Sequence, residues 1–247
     1  MRTEQQKRIS SIEIASTDDI LIKVTGREEV DWSRHAHNKH QIIYILSGTI
    51  HITIDGVSYF VTGGHVIWIP SGLAHCISSN NLQISLLVCY FHIGEVAHNK
   101  FSIFGADELV ARNLQLISKY EFINKVQTPE IFYFTRSFFK LLPKICKETL
   151  FPSQPFIIAN DSRLLSVLEY INANLNQDLS IEKVALHFGF SVRNLTRLFT
   201  NSDIRFVHYL NYQRVVRAIE ILTDNIMNIE QASYEVGFSS PNSFYRV

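Results

Sequence analysis

Ile181-Glu182-Lys183-Val184-Ala185, three residues, then Gly189-Phe190-Ser191 is followed 48 residues later by Ile229-Glu230-Gln231-Ala232-Ser233, three residues, then Gly237-Phe238-Ser239. Farther on, Leu195-Thr196-Arg197-Leu198 is echoed by Phe244-Tyr245-Arg246-Val247, now at an offset of 49. Each copy reads as a short apolar helix, a turn at glycine and a second helix that serine can cap. This is the arithmetic of a helix-turn-helix, whose second helix enters the DNA major groove. One copy is a weak signal. Two copies joined by a long amphipathic segment decide the fold of the C-terminal third.

In the first copy Ser180 caps a helix over 181–187, with Val184 and Ala185 inward and Glu182 and Lys183 outward. Gly189 permits the left-handed backbone of the turn. Ser191 caps the next helix, which turns Leu195, Leu198 and Phe199 to the core and offers Arg193, Asn194, Thr196 and Arg197 on the other side. Arginine can bond guanine bidentately, asparagine can bond adenine, and a threonine methyl can touch thymine. On a lone helix these are ordinary solvated residues; as the second element of a repeated motif they read as a DNA-facing set. Between the copies the spacing predicts a helix over 206–222, with Val207, Leu210, Val215, Ala218 and Leu222 along one side. Arg205, Arg214 and Arg217 are either phosphate contacts or partners for Glu220 and Asp203, and the apolar neighbours of Arg214 favour a structural role for it.

Composition restricts the rest. The 247 residues are 46% apolar, with 23 Lys and Arg against 23 Asp and Glu. The chain is globular and long enough for two domains. Residues 161–247 hold eight basic and nine acidic side chains, so any affinity for DNA must come from local placement of arginines. Three cysteines without metal-type spacing read as reduced thiols. No signal peptide or membrane-spanning run is present, and a cytoplasmic protein without a membrane partner is expected.

Residues 12–91 read as short strands with turn punctuation. Thr49–Ile54, Asp55-Gly56 and Val57–Val61 form the clearest unit, a hairpin with a type I′ turn. Gly63-Gly64 and Pro70-Ser71-Gly72 mark further turns. Strands without intervening helices point to an antiparallel barrel or jelly roll. Residues 105–150 are helical. Thr128 can cap a helix with Pro129 in its first turn, and Ile131, Phe134, Phe138, Leu141, Leu142 and Ile145 make an apolar stripe, either packing or a dimer interface. Pro143 should kink or end it. Residues 151–160, with two prolines, read as a linker.

From about Leu164 the chain resembles the DNA-binding domain of the AraC/XylS family of transcription regulators. The resemblance rests on Ser180-x3-Val184-Ala185-x3-Gly189-Phe190-Ser191, Leu195-x-Arg197-Leu198-Phe199, Tyr209-Leu210-x3-Arg214-x3-Ala218-x3-Leu222 and Ile229-x2-Ala232-x4-Gly237-Phe238. It implies base-facing roles for Arg193, Thr196 and Arg197, and for Asn242, Tyr245 and Arg246. Family members continue past the counterpart of Val247, so the domain reads as truncated at its C-terminus.

The second constellation is His35-x-His37-x3-Gln41-x6-Gly48, followed by Gly64-x5-Pro70-x-Gly72-x2-His75. It resembles the paired motifs of the cupin fold, which in metal-binding members supply three histidines and a glutamate to one divalent ion. Gln41 stands where the carboxylate would be. Three readings stay open: an architectural remnant, a small-effector site formed by His35, His37, Gln41 and His75, or a metal site completed by water. The effector reading is adopted for these residues, with no metal and no cofactor assigned. Trp32, Tyr44 and Trp68 either line this pocket or fill the core.

The expected fold is therefore α+β in two domains: a cupin-like barrel over 1–95, a helical support over 96–150, a linker over 151–160, and an all-α double helix-turn-helix over 161–247. The expected function is a sequence-specific regulator that is not an enzyme. Its partners would be double-stranded DNA, a small effector, a second copy of itself and, for an activator, RNA polymerase. The rival is a metal-dependent cupin enzyme with an appended helical domain.

Overall fold

The computed structural model describes residues 4–26, 30–80, 84–92, 98–146, 156–157, 161–202, 204–224 and 227–247. The chain divides into two compact units, Met1–Pro155 and Phe156–Val247. Apart from 156–157, the expected linker lies outside the described residues, as does Asp203.

The first unit opens with α1 (Glu4–Ile14) and continues through β1 (Asp19–Val24), β2 (Asp31–His35), β3 (His40–Ser47), β4 (Thr49–Ile54), β5 (Val57–Thr62), β6 (His65–Ile69), β7 (His75–Ser78), β8 (Ser85–Phe91) and β9 (Ser102–Gly105). After these come α2 (Glu108–Ile117), β10 (Phe122–Asn124) and α3 (Pro129–Ile145). One antiparallel sheet has the order β10-β1-β8-β3-β6-β9. The strands β5-β4-β7-β2 belong to a second sheet. Of the expected antiparallel barrel or jelly roll, the two separate ladders give the jelly-roll form.

Sequence patterning follows from this layering. Strands β3, β6 and β8 are apolar on both faces because both are covered. Ile43, Ile45, Ile67 and Val88 meet Ile50, Ile52 and Ile77 of the other sheet, with Ile12 of α1 in the same core. On the reverse face Ile42, Tyr44, Trp68 and Phe91 pack against Leu114, Phe132, Phe139 and Leu142 of the helices. Strand β4 keeps the alternation of a half-covered strand. Its hairpin to β5 pairs Ile54 with Val57. Asp55 and Gly56 both have positive φ, 48° and 78°, as a type I′ turn requires.

Helix α3 departs from expectation in two ways. Thr128 makes no side-chain cap bond; its hydroxyl donates to the Asn124 carbonyl and accepts from the Asn124 N–H, closing the β10–α3 turn. The buried face is Phe132, Thr135, Phe138, Phe139 and Leu142, whereas Phe134, Leu141 and Ile145 of the expected stripe are exposed. Apolar residues occupy more than one face, so spacing alone selected a set straddling both. Pro143 lies inside the last turn, and the helix ends two residues later.

The second unit is helical: α4 (Ser162–Ala173), α5 (Ile181–His187), α6 (Val192–Asn201), α7 (Phe206–Thr223), α8 (Ile229–Glu235) and α9 (Pro241–Tyr245). It has two cores. Leu164, Ile171, Val184, Leu195, Phe199 and Leu210 belong to the first; Ala218, Ile221, Ala232, Val236 and Phe238 form the second. Helix α7 serves both, the first with Phe206, Tyr209 and Leu210, the second with Ala218 and Ile221. That division explains why its buried residues do not follow one stripe and why Val207 is exposed.

Candidate functional site

Both helix-turn-helix motifs form, the first as the repeat requires. Ser180 accepts from the Lys183 N–H at the start of α5, and Ser191 accepts from the Asn194 N–H at the start of α6. Gly189 has φ 68°. With Leu195, Leu198 and Phe199 buried, Arg193, Thr196 and Arg197 are exposed and Asn194 is half-buried. Thr200, which sequence reasoning passed over, extends this stripe by one turn and is also exposed. Spacings of three, four and seven from Arg193 were the signal that marks it. Lys183, on the outer side of α5, pairs with Asp178.

The second copy differs at its cap. Asn228 and Gln231 form a reciprocal capping box at α8. The recognition helix α9 is capped by Ser240, which accepts from the Ser243 N–H; the repeat pointed to Ser239. One inserted residue before this cap accounts for the change of offset from 48 to 49. Asn242, Tyr245 and Arg246 then match Arg193, Thr196 and Arg197, and all three are exposed. Phe244 packs on Phe238, ring centroids 5.4 Å apart.

Arg214 joins the two halves. It is 9% exposed, donates from Nε to the Leu175 carbonyl and from Nη2 to the Gln177 carbonyl, both at 2.9 Å, and lies over the Phe238 ring. Its structural role is therefore the one observed. Arg217 pairs with the buried Glu220 at 2.9 Å, and Arg205 is exposed.

In the first unit, His35 and His75 face each other across β2 and β7, while Gln41 comes from the opposite sheet. One ring nitrogen from each of His35, His37 and His75 lies within 4.8 Å of the others. Each ring also has Nδ1 at a backbone carbonyl: Ser33 for His35 at 2.8 Å, Lys39 for His37 at 2.8 Å and Leu73 for His75 at 2.9 Å. A carbonyl only accepts, so Nδ1 carries the proton and a neutral ring presents a lone pair at Nε2. Burial holds His75 neutral, its pKa pushed down to about 3; the Leu73 bond opposes this shift and His35 and His37 add to it.

The amide of Gln41 stands 2.9 Å from His37 Nε2. Because that nitrogen accepts, the amide group facing it is the NH2. The second polar atom of the Gln41 amide is buried without a partner, and so is His75 Nε2. The cluster consequently offers acceptors to whatever enters. With the ring N–H groups spent on backbone carbonyls, the lone pairs suit a cation or a hydroxyl donor better than a carboxylate. Tyr44 and Trp68 lie on the other face of the first sheet, in the core against the helices.

Two neighbours left no trace in the sequence. Lys39 is 3% exposed and its ammonium donates to the Ser16 carbonyl at 2.7 Å, while its own carbonyl holds His37. Burial lowers its pKa, and Asp19 opposes that shift. His40 is buried beside Trp68 and Phe91, its pKa pushed down to about 4 by burial first and then by His92 and His37. Among the described residues no helix is long and apolar enough to cross a membrane.

Residues 184–247 match the helix-turn-helix domain family, and residues 22–89 match the cupin domain family. Over 90 residues, 36% of this chain, it is 34% identical to an uncharacterized HTH-type transcriptional regulator of Staphylococcus aureus, of which that stretch is 12%. Over 89 residues it is 35% identical to the regulatory protein PocR of Salmonella typhimurium, of which the stretch is 29%. The chain thus spans only a minor part of these relatives. Among solved structures, ToxT of Vibrio cholerae with a bound unsaturated fatty acid overlaps 92% of this chain and 89% of its own at 14% identity and a TM-score of 0.38. The AraC-like transcriptional activator CuxR overlaps 86% and 82% at 15% identity and a TM-score of 0.39. With the paired motifs and the histidine-bearing sheets in place, the two matches fall on the two units separately: residues 22–89 are similar to cupin domains and residues 184–247 to helix-turn-helix domains.

Proposed function

We propose that the protein is a sequence-specific DNA-binding transcription regulator whose cupin domain senses a small ligand. One observation carries the DNA reading: the two motifs bury their apolar sides in separate cores and leave Arg193, Asn194, Thr196 and Arg197 on α6, Asn242 and Tyr245 on α9, and Arg246 at the C-cap of α9. Two such heads on one rigid unit suit adjacent major-groove segments. Footprinting with the purified chain tests this. Arg197→Ala should cost about 1–3 kcal/mol and relax preference at one base pair. Unaltered specific binding by that variant would overturn the assignment of α6.

His35, His37, Gln41 and His75 are the ligand site of this reading. A second version of it, in which the ligand is a divalent transition-metal ion, is favoured by the unpartnered Nε2 of buried His75. His35, His75 and the neutral oxygen of Gln41 would hold the ion, and His37 would join them by giving up the Gln41 amide at its Nε2. The ion would supply a positive charge tying residues of both sheets together; the missing carboxylate makes the site less anionic than a three-histidine, one-glutamate set. Calorimetric titration with Zn²⁺, Ni²⁺ and Mn²⁺ checks it: stoichiometric binding lost in the His37→Ala, His75→Ala double variant supports the metal version, and no binding of any ion overturns it. The unit is a sensor in this account, not a catalyst. A second copy docked on the outer face of α3 and, for an activator, RNA polymerase complete the partners in a cytoplasmic setting.

A further inference from the structure

The first recognition helix carries more information than its list of exposed residues. Threonine can be read through its hydroxyl or its methyl. Thr196 Oγ1 donates to the Val192 carbonyl at 2.9 Å, and Thr200 Oγ1 donates in the same way to the Thr196 carbonyl. These bonds use each hydroxyl's only proton and fold the oxygen back along the helix. The γ-methyl is then the group that Thr196 presents between the exposed Arg193 and Arg197. Asn194 is committed as well: its Oδ1 accepts from Arg197 Nη2 at 3.2 Å, and the residue is half-buried.

We propose that α6 reads a thymine through the Thr196 methyl, between guanines read by Arg193 and Arg197, and that Asn194 positions Arg197 and does not read a base itself. This rests on the DNA-binding reading above. Spacing supports it. Arg193 and Arg197 are four residues apart, about 6 Å along the helix, close to two base-pair steps of about 3.4 Å. The base pair between them falls beneath Thr196. The thymine C5-methyl is the apolar mark in the major groove that such a methyl can touch. Thr200 lies two turns into the helix, beyond the N-terminal residues that reach base edges in this motif.

The test uses the full chain and the site found by footprinting, with each thymine of the first half-site replaced in turn by deoxyuridine, which removes only the methyl. At one position binding should weaken about fourfold, the ratio that corresponds to about 0.8 kcal/mol for one buried methyl-sized group. Thr196→Ser, which keeps the hydroxyl, should bind thymine and deoxyuridine there equally. Thr196→Val, which keeps a methyl, should retain the difference. Asn194→Ala should broaden preference at the same base pair as Arg197→Ala and at no other. Deoxyuridine tolerated at every position, or a difference that survives in Thr196→Ser, overturns the thymine reading. Equal weakening by Asn194→Ala on all sequences overturns the positioning role. If no DNA is protected at all, the DNA-binding reading itself fails, and the inference with it.

Discussion

Gly189 and Gly237 hold the same place in the two turns, and both backbones are left-handed, with φ of 68° and 91°. Around Gly189 a Cβ would meet nothing within 4 Å. At Gly237 it would overlap the Leu175 carbonyl oxygen and come within 2.9 Å of Arg214 Nη2. The first turn needs glycine for its backbone alone; the second needs it for the backbone and for room. The same letter in a repeat thus records a local constraint in one copy and a tertiary one in the other. The crowding at Gly237 comes from the Arg214 guanidinium and the α4–α5 connection it holds, so the second head is fastened to the first half of its own unit.

The largest test of this difference is Gly237→Ala. Left-handed alanine costs about 1–2 kcal/mol, overpacking adds about 1–3 kcal/mol, and a loss of about 3 kcal/mol is expected in chemical denaturation. A loss no greater than that of Gly189→Ala would erase the distinction. Next comes Arg214→Leu, which leaves two carbonyls without donors; about 2 kcal/mol should go. Amide exchange in α8 should rise with it, and unchanged exchange there would show that Arg214 does not link the halves. Gly189→Ala should cost about 1 kcal/mol, the backbone part alone. Smallest is Gly189→Asn, since asparagine tolerates the left-handed region; a cost of about 0.3 kcal/mol is expected by thermal melting, and a cost equal to alanine's would point to crowding that the open turn does not have.

These contrasts also mark how far the sequence could be read. Ser180, Ser191, Gly189 and the buried trio Leu195, Leu198 and Phe199 were legible because caps, turns and helical periodicity act within a few residues of each other. The β4–β5 hairpin was legible for the same reason. Thr128 was misread because its hydroxyl bonds back to Asn124 of the preceding strand. The α3 stripe was misread because apolar residues occupy more than one face, and only the sheet decides which is inward. Among the histidines, the partners His35, His37 and His75 were legible from motif spacing. Their tautomers were not, because these depend on carbonyls aimed by the fold. Lys39 and His40 stand in a polar run that reads as surface; the fold brings the Ser16 carbonyl to the Lys39 ammonium and Trp68 and Phe91 to His40.

The slip in the repeat, from 48 to 49, has a consequence for how such a domain can vary over time. Ser240 is more extended than Ser191, with φ −161° and ψ 155° against −71° and 149°. One extended residue adds at most about 3.3–3.6 Å of reach. The extra residue sits between a turn held by Gly237 and a helix that starts at its own cap. An insertion inside either helix would swing every later side chain about 100° around the axis, since a turn takes 3.6 residues; at the junction it does neither harm nor rearrangement. That junction is the molecule's slack, the point at which a duplicated reading head can be lengthened or shortened while Asn242, Tyr245 and Arg246 stay in register with their counterparts.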